Sequence, residues 1–276
     1  MRQLINGYWP YILMAAIVYG LMQAQFPIQR ELNLFVTYDC THYIESIEGG
    51  LVSGIQQYAN PTLTYLMTFV YLVLFSSVMI FTFLLFAYTE QMTALKQFSF
   101  VFIANYLIAF PFYLLFPVHV TGYALSNVQP LMYELHPLIY EGITTVDPLD
   151  NCFPSLHATL VFSALLVVRT TNLDRYRRFL TIAFPTIVFA TLYLGVHWIT
   201  DIVAGVMLSL FTFQITRYHG DWIMDYANGA VVTIEKLIGV KETIVCTACA
   251  CEIAIVPHLR SVNCPNCGEV IEHEVL

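Results

Sequence analysis

Residues 62–88, TLTYLMTFVYLVLFSSVMIFTFLLFAY, form an unbroken run of 27 residues without an acidic or basic side chain. A run of about 18 or more apolar residues predicts a membrane-spanning helix, because a helix of that length crosses the hydrocarbon core of a bilayer. The composition agrees, since 58% of the 276 residues are hydrophobic, 11% are charged and the mean hydropathy is +0.68. The sequence therefore predicts an integral membrane protein.

Outward from this run, apolar segments predict an all-α integral membrane fold, a six-span helical bundle. Asp201 is the only charged residue within the spans. No small-residue cleavage site follows the first span, so we expect that span to be retained. The formal net charge of −8 argues against nucleic acid as the main partner. The predicted spans are 8–24, 62–88, 98–117, 155–168, 179–194 and 198–216.

The basic residues fall almost entirely on one side of these spans. Alternate connections place ten of the 11 Lys and Arg residues on one side and Arg30 alone on the other. Cytoplasmic loops are enriched in Lys and Arg, so we expect a multi-pass cell-membrane protein with both termini in the cytoplasm. Segments 25–61 and 118–154 then face outward, and the fourth and sixth spans both begin at the outer face.

The two outer segments are rich in acidic residues. The first is predicted to hold an interfacial amphipathic helix broken at 49–50, with an apolar face of Ile44, Ile47, Leu51 and Ile55. The acidic side chains are expected to be solvated and non-catalytic, and they are Glu45, Glu48, Glu134, Glu141, Asp147 and Asp150. Cys40 and Cys152 both fall on the outer side, which suggests a disulfide between them, although sequence gives no distance.

Two short polar motifs stand where the fourth and sixth spans begin. The first is NCFPSLH at 151–157, and the second is YLGVHWITD at 193–201. Ionisable side chains at membrane depth are costly and indicate a functional site. Because both spans begin at the same face, the two motifs can meet at one membrane surface.

The residue types in these motifs suit proton and group transfer. His197 and Asp201 are four residues apart, so on a helix the carboxylate can orient the imidazole and leave its second nitrogen as a nucleophile or base. Ser155 is a good N-cap for the fourth span, whose first-turn N–H groups can hold an anion. His157 lies in that turn and can act as a general acid. The alternatives are a self-satisfied buried pair and a capped helix with an incidental histidine.

Together these motifs resemble the second and third motifs of the type-2 phosphatidic acid phosphatase superfamily, and are most similar to its inositol phosphorylceramide synthase-like branch. The resemblance implies a phosphoric ester hydrolase or lipid phosphotransferase with a lipid phosphate or phospholipid substrate and no catalytic metal. It implies that His197 attacks phosphorus to form a phosphohistidine. Asp201 would orient His197, and His157 would protonate the leaving group.

The chain departs from this superfamily where phosphate is usually clamped. The region that matches the first motif, 110–120, has no Lys or Arg, and His119 is its only basic residue. Phosphate binding is therefore expected from Ser155, His119 and Tyr193, with the amides of the helix N-terminus. The missing cations favour a rival function, a non-catalytic membrane protein that binds a lipid head group and recruits a partner through its tail. A serine hydrolase is disfavoured, since no nucleophile-elbow pattern surrounds Ser155.

The composition changes after the last span, and we predict a membrane domain at 1–217, a juxtamembrane connector at 218–245 and a small module at 246–276. Two CxxC pairs with fourteen residues between them have the spacing of a structural zinc site, and the second resembles a zinc-ribbon knuckle. Zinc should hold this module folded, because so short a segment cannot bury a core of its own. We expect the module to contact a protein partner or to regulate. Cys251 is a spare thiol or an alternative ligand, and the predicted ligands are Cys246, Cys249, Cys264 and Cys267.

Overall fold

A computed structural model describes residues 39–272 and, before them, residues 16, 18, 20, 21, 24, 27, 28 and 31. Most of the predicted first span, 8–24, therefore lies outside the described residues, as does Arg30. The chain divides into two compact units, Ile17–Arg217 and a second unit that joins Met1–Ala16 to Tyr218–Leu276. The predicted domain boundaries stay predictions.

The described residues are mostly helical, as the apolar runs predict. The helices are α1 Thr41–Glu48, α2 Leu51–Gln56, α3 Pro61–Phe69, α4 Phe75–Tyr88, α5 Met92–Leu115, α6 Thr121–Ala124, α7 Pro137–Val146, α8 Leu156–Val168, α9 Asp174–Tyr193 and α10 Ile199–Ile238. A π-helical turn, Val70–Leu74, joins α3 to α4 without a break. The strands are β1 Glu242–Val245, β2 Glu252–Ile255, β3 Ser261–Asn263 and β4 Val270–Glu272.

Within the described residues, three helices are long and apolar enough to cross a membrane. They are Pro61–Tyr88, Met92–Leu115 and Ile199–His219, which correspond to the predicted second, third and sixth spans. Helix α8 is apolar but has only 13 residues, and the first turn of α9 carries charged side chains. These helices indicate a membrane protein, whereas the count of six spans stays a prediction.

Helix α8 is the centre of the membrane unit. Ten of its 13 residues are buried, and it packs against α5 and α9. Helix α10 approaches it closely at Gly205, where an added Cβ would lie 2.6 Å from the backbone oxygen of Ser155 and 2.7 Å from Oγ1 of Thr159. This contact therefore brings together the starts of the two helices that follow the polar motifs.

A buried polar network also joins α8 to its neighbours. Asn105 on α5 donates from Nδ2 to Oγ of Ser163 on α8 at 2.9 Å. The hydroxyls of Ser163 and Ser209 lie 2.7 Å apart, and Thr212 donates to Oδ1 of Asn105 at 2.7 Å. Each of these polar atoms thus has a partner inside the bundle, so their burial is compensated.

Helix α1 ends at the predicted break, since Gly49 has φ = +60° and α2 starts at Leu51. Of the predicted apolar face, Ile44 packs inside the protein while Ile47 and Leu51 lie on its surface, so the interfacial placement stays a prediction. The helix buries Thr41, Ile44 and Glu48, whereas Ile47 is 73% exposed and Leu51 is 63% exposed. The prediction that Glu48 is solvated is wrong, because its carboxylate finds hydrogen-bond donors inside the protein.

The second unit ends in two antiparallel hairpins. Strand β1 pairs with β2, and β3 pairs with β4. The cluster they bury is small, consisting of Cys246, Ile253, Ile255 and Cys264. In the same unit, the carboxylate of Glu235 on α10 lies 2.6 Å from Nδ1 of His258, and the two side chains are almost fully buried.

Candidate active site and metal centre

The structure brings together the three residues predicted to be catalytic. Nδ1 of His197 lies 3.3 Å from Oδ2 of Asp201, and Nε2 of His197 lies 3.4 Å from Nδ1 of His157. His197 and Asp201 are buried, while His157 is half-buried. A carboxylate on one ring nitrogen of His197 fixes the orientation of the ring and leaves Nε2 directed at His157. The predicted meeting of the two motifs is confirmed.

The local structure around His197 differs from the prediction that it shares a helical face with Asp201. The helix begins at Ile199, so His197 lies in the preceding loop and Asp201 lies in the first turn. Oδ2 of Asp201 accepts from the backbone N–H of Trp198 at 2.9 Å. This bond is one half of a capping box, in which the third helical residue reaches back to the N-cap position. Asp201 therefore caps its helix and holds His197 at the same time.

Ser155 caps α8 as predicted. Its Oγ accepts from the backbone N–H of Ala158 at 3.4 Å, and its own N–H donates to the backbone oxygen of Asp201 at 3.1 Å. The second bond joins the two motifs through their backbones. The N–H groups at the start of α8 point out along the helix axis, and such groups favour anions.

His157 is held between two aromatic rings that the sequence reasoning missed. The ring of Tyr71 stacks on it with centroids 4.4 Å apart and planes at 29°, and the ring of Phe75 lies at the same distance. Tyr71 lies in the π-helical turn and Phe75 follows it. Such turns are frequent at functional sites. A π-turn inside an apolar run has no sequence signal that periodicity could detect.

The prediction that the acidic residues of segments 25–61 and 118–154 are solvated is correct for Glu134 and Glu141 and wrong for Glu48 and Asp147. Asp147 is half-buried, and its Oδ2 accepts from the hydroxyl of Tyr71 at 2.6 Å. Burial raises the pKa of this carboxyl, against the Tyr71 hydrogen bond and the charge of His197, which lower it. Asp147 thus belongs to the same cluster as His157 through Tyr71.

The two other predicted phosphate ligands have partners elsewhere. Nε2 of His119 lies 3.8 Å from Oδ2 of Asp39, and its backbone oxygen accepts from the indole N–H of Trp198 at 2.9 Å. The hydroxyl of Tyr193 lies 3.0 Å from Oγ1 of Thr64 and accepts from the N–H of Asn60 at 3.2 Å. Tyr193 is fully buried, so these contacts fix the start of α3. The binding of phosphate by His119 and Tyr193 stays a prediction.

Cys40 and Cys152 are both free thiols, so the suggested disulfide between them is absent from the structure. Burial raises the pKa of the Cys152 thiol, and the thiol donates to the backbone oxygen of Val196 at 3.3 Å. Cys152 also presents its sulfur within 4.8 Å of ligand atoms of His197 and Asp201, a grouping that could hold a metal ion. The absence of a catalytic metal stays a prediction.

Four cysteines at the C-terminal end form a candidate metal centre. Sγ of Cys246 lies 3.7 Å from Sγ of Cys267, and Sγ of Cys249 lies 3.6 Å from Sγ of Cys264. Four thiolates around zinc at about 2.3 Å are separated by about 3.8 Å in a tetrahedron. The spacing of these sulfurs fits that geometry, and the four residues could hold a metal ion.

The two cysteine knuckles repeat one backbone pattern. In the first, Ala250 N–H donates to the oxygen of Cys246 at 2.8 Å, and in the second Gly268 N–H donates to that of Cys264 at 2.9 Å. Ala250 has φ = +58° and Gly268 has φ = +76°. Cys251, the spare thiol of the sequence prediction, lies 3.3 Å from both Cys249 and Cys264 by sulfur–sulfur distance.

Comparison with known proteins agrees with the geometry of the membrane unit. The model of the PAP2 superfamily matches residues 94–224. The structure is similar to the crystal structure of Aquifex aeolicus LpxE, with a TM-score of 0.50 at 18% identity, over 62% of this chain and 95% of that chain. No curated protein matches the sequence. Residues 94–224, which contain His157, His197 and Asp201, therefore match the PAP2 superfamily, and the fold resembles that of LpxE.

Proposed function

We propose that the protein is an integral-membrane lipid phosphatase or phosphotransferase that works through a phosphohistidine on His197. The observation that carries this proposal is the chain of contacts from Asp201 through His197 to His157. This chain leaves one nitrogen of a buried, oriented histidine directed at a second histidine. The match of 94–224 to the PAP2 superfamily supports the same reaction class.

In the proposed reaction, Nε2 of His197 attacks the phosphorus of a phosphate ester and forms an N–P bond. The P–O bond of the leaving group breaks, and protonated His157 transfers its proton to the departing oxygen. Neutral His157 then takes a proton from water or an alcohol, whose oxygen attacks phosphorus and releases His197. Asp201 stabilises the positive charge that His197 carries in the intermediate.

In this proposal the phosphate is bound without lysine or arginine. The described outer segments, 39–60 and 118–154, contain no Lys or Arg. The N-terminus of α8, capped by Ser155, supplies oriented N–H groups beside His157. A site of this kind suits a phosphodiester, which carries one negative charge, better than a phosphomonoester. This preference for a phosphodiester agrees with the resemblance of the two motifs to the synthase-like branch. We propose that the active site lies on the outer face of the membrane.

Trapping of labelled phosphate tests the mechanism. Purified protein is incubated with a labelled lipid phosphate or phospholipid donor, quenched in alkali and analysed for phosphohistidine at 197. Substitution His197→Ala should abolish both the label and turnover while the protein still inserts. Turnover by His197→Ala at the wild-type rate would disprove the mechanism. The loss of turnover caused by His157→Ala should be smaller for donors whose leaving group has a lower pKa. An equal loss for all donors would contradict the acid role of His157.

One observation favours a second candidate function, a non-catalytic protein that binds a lipid head group and recruits a protein partner through a zinc ribbon. That observation is the lack of cations in the described outer segments. The two functions separate cleanly, because a binding protein would retain lipid in the His197→Ala variant and would never carry a phosphorylated histidine. In either case we propose that the four cysteines hold structural zinc and that the C-terminal module makes contacts or regulates.

A further inference from the structure

We propose that Glu48, on the outer helix α1, is a positioning residue that sets the catalytic geometry of His197 and Asp201. The inference rests on the function proposed above. From the sequence alone, Glu48 is expected to be solvated and without a catalytic role. In the structure its side chain is only 7% exposed, which for a carboxylate requires compensating donors.

The donors are the first two backbone N–H groups of α10. Oε1 of Glu48 accepts from the N–H of Ile199 at 2.9 Å, and Oε2 accepts from the N–H of Thr200 at 2.9 Å. The hydroxyl of Thr200 donates to Oε2 at 3.0 Å. A helix leaves its first N–H groups without intrahelical partners, and a carboxylate there is stabilised by the helix dipole. Glu48 therefore fills the anion-binding end of α10.

The carboxylate and the nucleophile lie on either side of one turn of chain. His197 and Trp198 come directly before Ile199, and Asp201 directly follows Thr200. Asp201 caps the same turn through the N–H of Trp198. Two carboxylates thus share the N–H groups of one helix start, with Asp201 on the side of His197 and Glu48 on the side of α1. Without Glu48, the freed N–H groups of Ile199 and Thr200 would compete for Asp201.

Helix α1 is itself fixed at its other end. Oγ1 of Thr41 accepts from the N–H of His119 at 2.9 Å, and the N–H of Cys40 donates to the oxygen of Pro117 at 2.9 Å. The backbone oxygen of His119 in turn accepts from the indole of Trp198. Helix α1 is thus bound at its N-terminal end by residues 117–119 and at its C-terminal end, through Glu48, by the start of α10. These contacts fix the position of the Glu48 carboxylate.

Filling the start of α10 also has a consequence for the substrate. With that helix end neutralised by Glu48, the N-terminus of α8 is left as the anion site beside the histidines. The transferred phosphate is then expected at Ser155 and His157 and not at Ile199.

The chain offers a matched control, Glu45, which lies one turn earlier on α1, is 44% exposed and faces His42 at 3.7 Å. We would compare Glu48→Gln and Glu48→Ala with Glu45→Gln and Glu45→Ala. In detergent, amide exchange by mass spectrometry should show faster exchange at 199–201 in both Glu48 variants and wild-type exchange in both Glu45 variants. Unchanged exchange in Glu48→Ala would overturn the capping.

Turnover of phosphatidic acid and of phosphatidylinositol, each in mixed micelles, tests the effect on catalysis. Per mole of folded protein, kcat should fall about 10- to 100-fold in Glu48→Ala while KM changes less than about twofold, because displacement of a catalytic group acts on the reacting geometry. Glu48→Gln should lose less, since one amide oxygen still accepts. A Glu48→Ala variant with fewer folded molecules but wild-type kcat would show a purely structural cap and overturn the proposal.

Failure of the proposed function gives a different result from failure of the role proposed for Glu48. If wild-type protein transfers no phosphate from either donor and gives no label at His197, the proposed function fails. The amide exchange at 199–201 then decides the capping by itself. If the wild type is labelled and Glu48→Ala is labelled at the same rate, only the role of Glu48 fails.

Discussion

Substitution Gly205→Ala should push apart the two helices that carry the proposed active site. A Cβ at this position would lie 2.6 Å from the backbone oxygen of Ser155, where real contacts are never under 3.0 Å and ordinary ones begin at 3.4 Å. The helices must therefore separate by at least 0.4 Å, which is 3.0 Å minus 2.6 Å, and by 0.8 Å to reach ordinary contact. The atom in the way is backbone, so a side-chain rotation cannot relieve the clash.

The magnitude follows from a matched substitution on the same helix. Overpacking of this kind costs about 1–3 kcal/mol, and replacing glycine by alanine in a helix gains about 1 kcal/mol. Gly229→Ala makes the second change alone, since nothing lies within 4 Å of its added Cβ. The free energy of unfolding of Gly205→Ala should therefore lie about 1–3 kcal/mol below that of Gly229→Ala, measured by denaturation in detergent micelles.

The same separation should appear in turnover. His157 lies near the start of α8, and His197 directly precedes α10. The distance of 3.4 Å between their ring nitrogens therefore depends on how closely the two helices approach at Gly205. Because a misplacement of 1 Å can cost about 100-fold in rate, a shift of 0.4–0.8 Å should lower kcat about 10-fold. Equal stability and equal kcat in the Gly205→Ala and Gly229→Ala variants would refute the close contact and its role.

Four further changes should have measurable effects. Burial raises the pKa of Asp147 above its ordinary 3.8. The stability that this group contributes is therefore complete below pH 3.8 and is lost as the pH rises through the raised pKa. In a plot of unfolding free energy against pH, Asp147→Asn should flatten that part of the curve. Ala250 has φ = +58°, so Ala250→Gly should stabilise the first knuckle by about 1–2 kcal/mol, measured by denaturation, whereas Gly268→Ala should destabilise the second by a similar amount. Removal of zinc by a chelator should unfold 242–272, whose buried cluster is small, and leave the helical signal of 61–217 intact in circular dichroism and amide exchange; hairpins that stay protected in chelator would exclude a structural metal.

Local patterns predicted much of this molecule. The apolar run at 62–88 marks a real membrane-length helix, and Ser155 caps the helix that its position predicts. The proximity of His157 to His197 followed from the sidedness of basic residues, because it placed two helix starts at one surface. These features depend on residues a few positions apart or on the distribution of basic residues along the chain. Both kinds of signal can be read from a single sequence.

Contacts between distant residues could not be predicted in this way. Glu48 is 151 residues from Ile199, and Tyr71 is 76 residues from Asp147. Periodicity placed Ile47 on the apolar face of an interfacial helix and left Glu48 solvated, because it counts hydrophobicity and takes no account of donors at the start of another helix. A carboxylate that meets two unpaired N–H groups outweighs one apolar side chain, and only the packed structure shows that the groups meet.

The shortness of α8 has a consequence for how the protein is made. Thirteen residues extend about 20 Å along a helix axis, about 10 Å less than the hydrocarbon core of a bilayer. Such a segment is a weak signal for the insertion machinery, so chains truncated after 172 should leave it outside the membrane when glycosylation sites are mapped, and chains that include α9 and α10 should insert it. We therefore expect α8, with His157, to be synthesised before it can insert into the bilayer. An unfinished chain holds no assembled histidine pair, and the reactive centre is completed only after synthesis has passed α10.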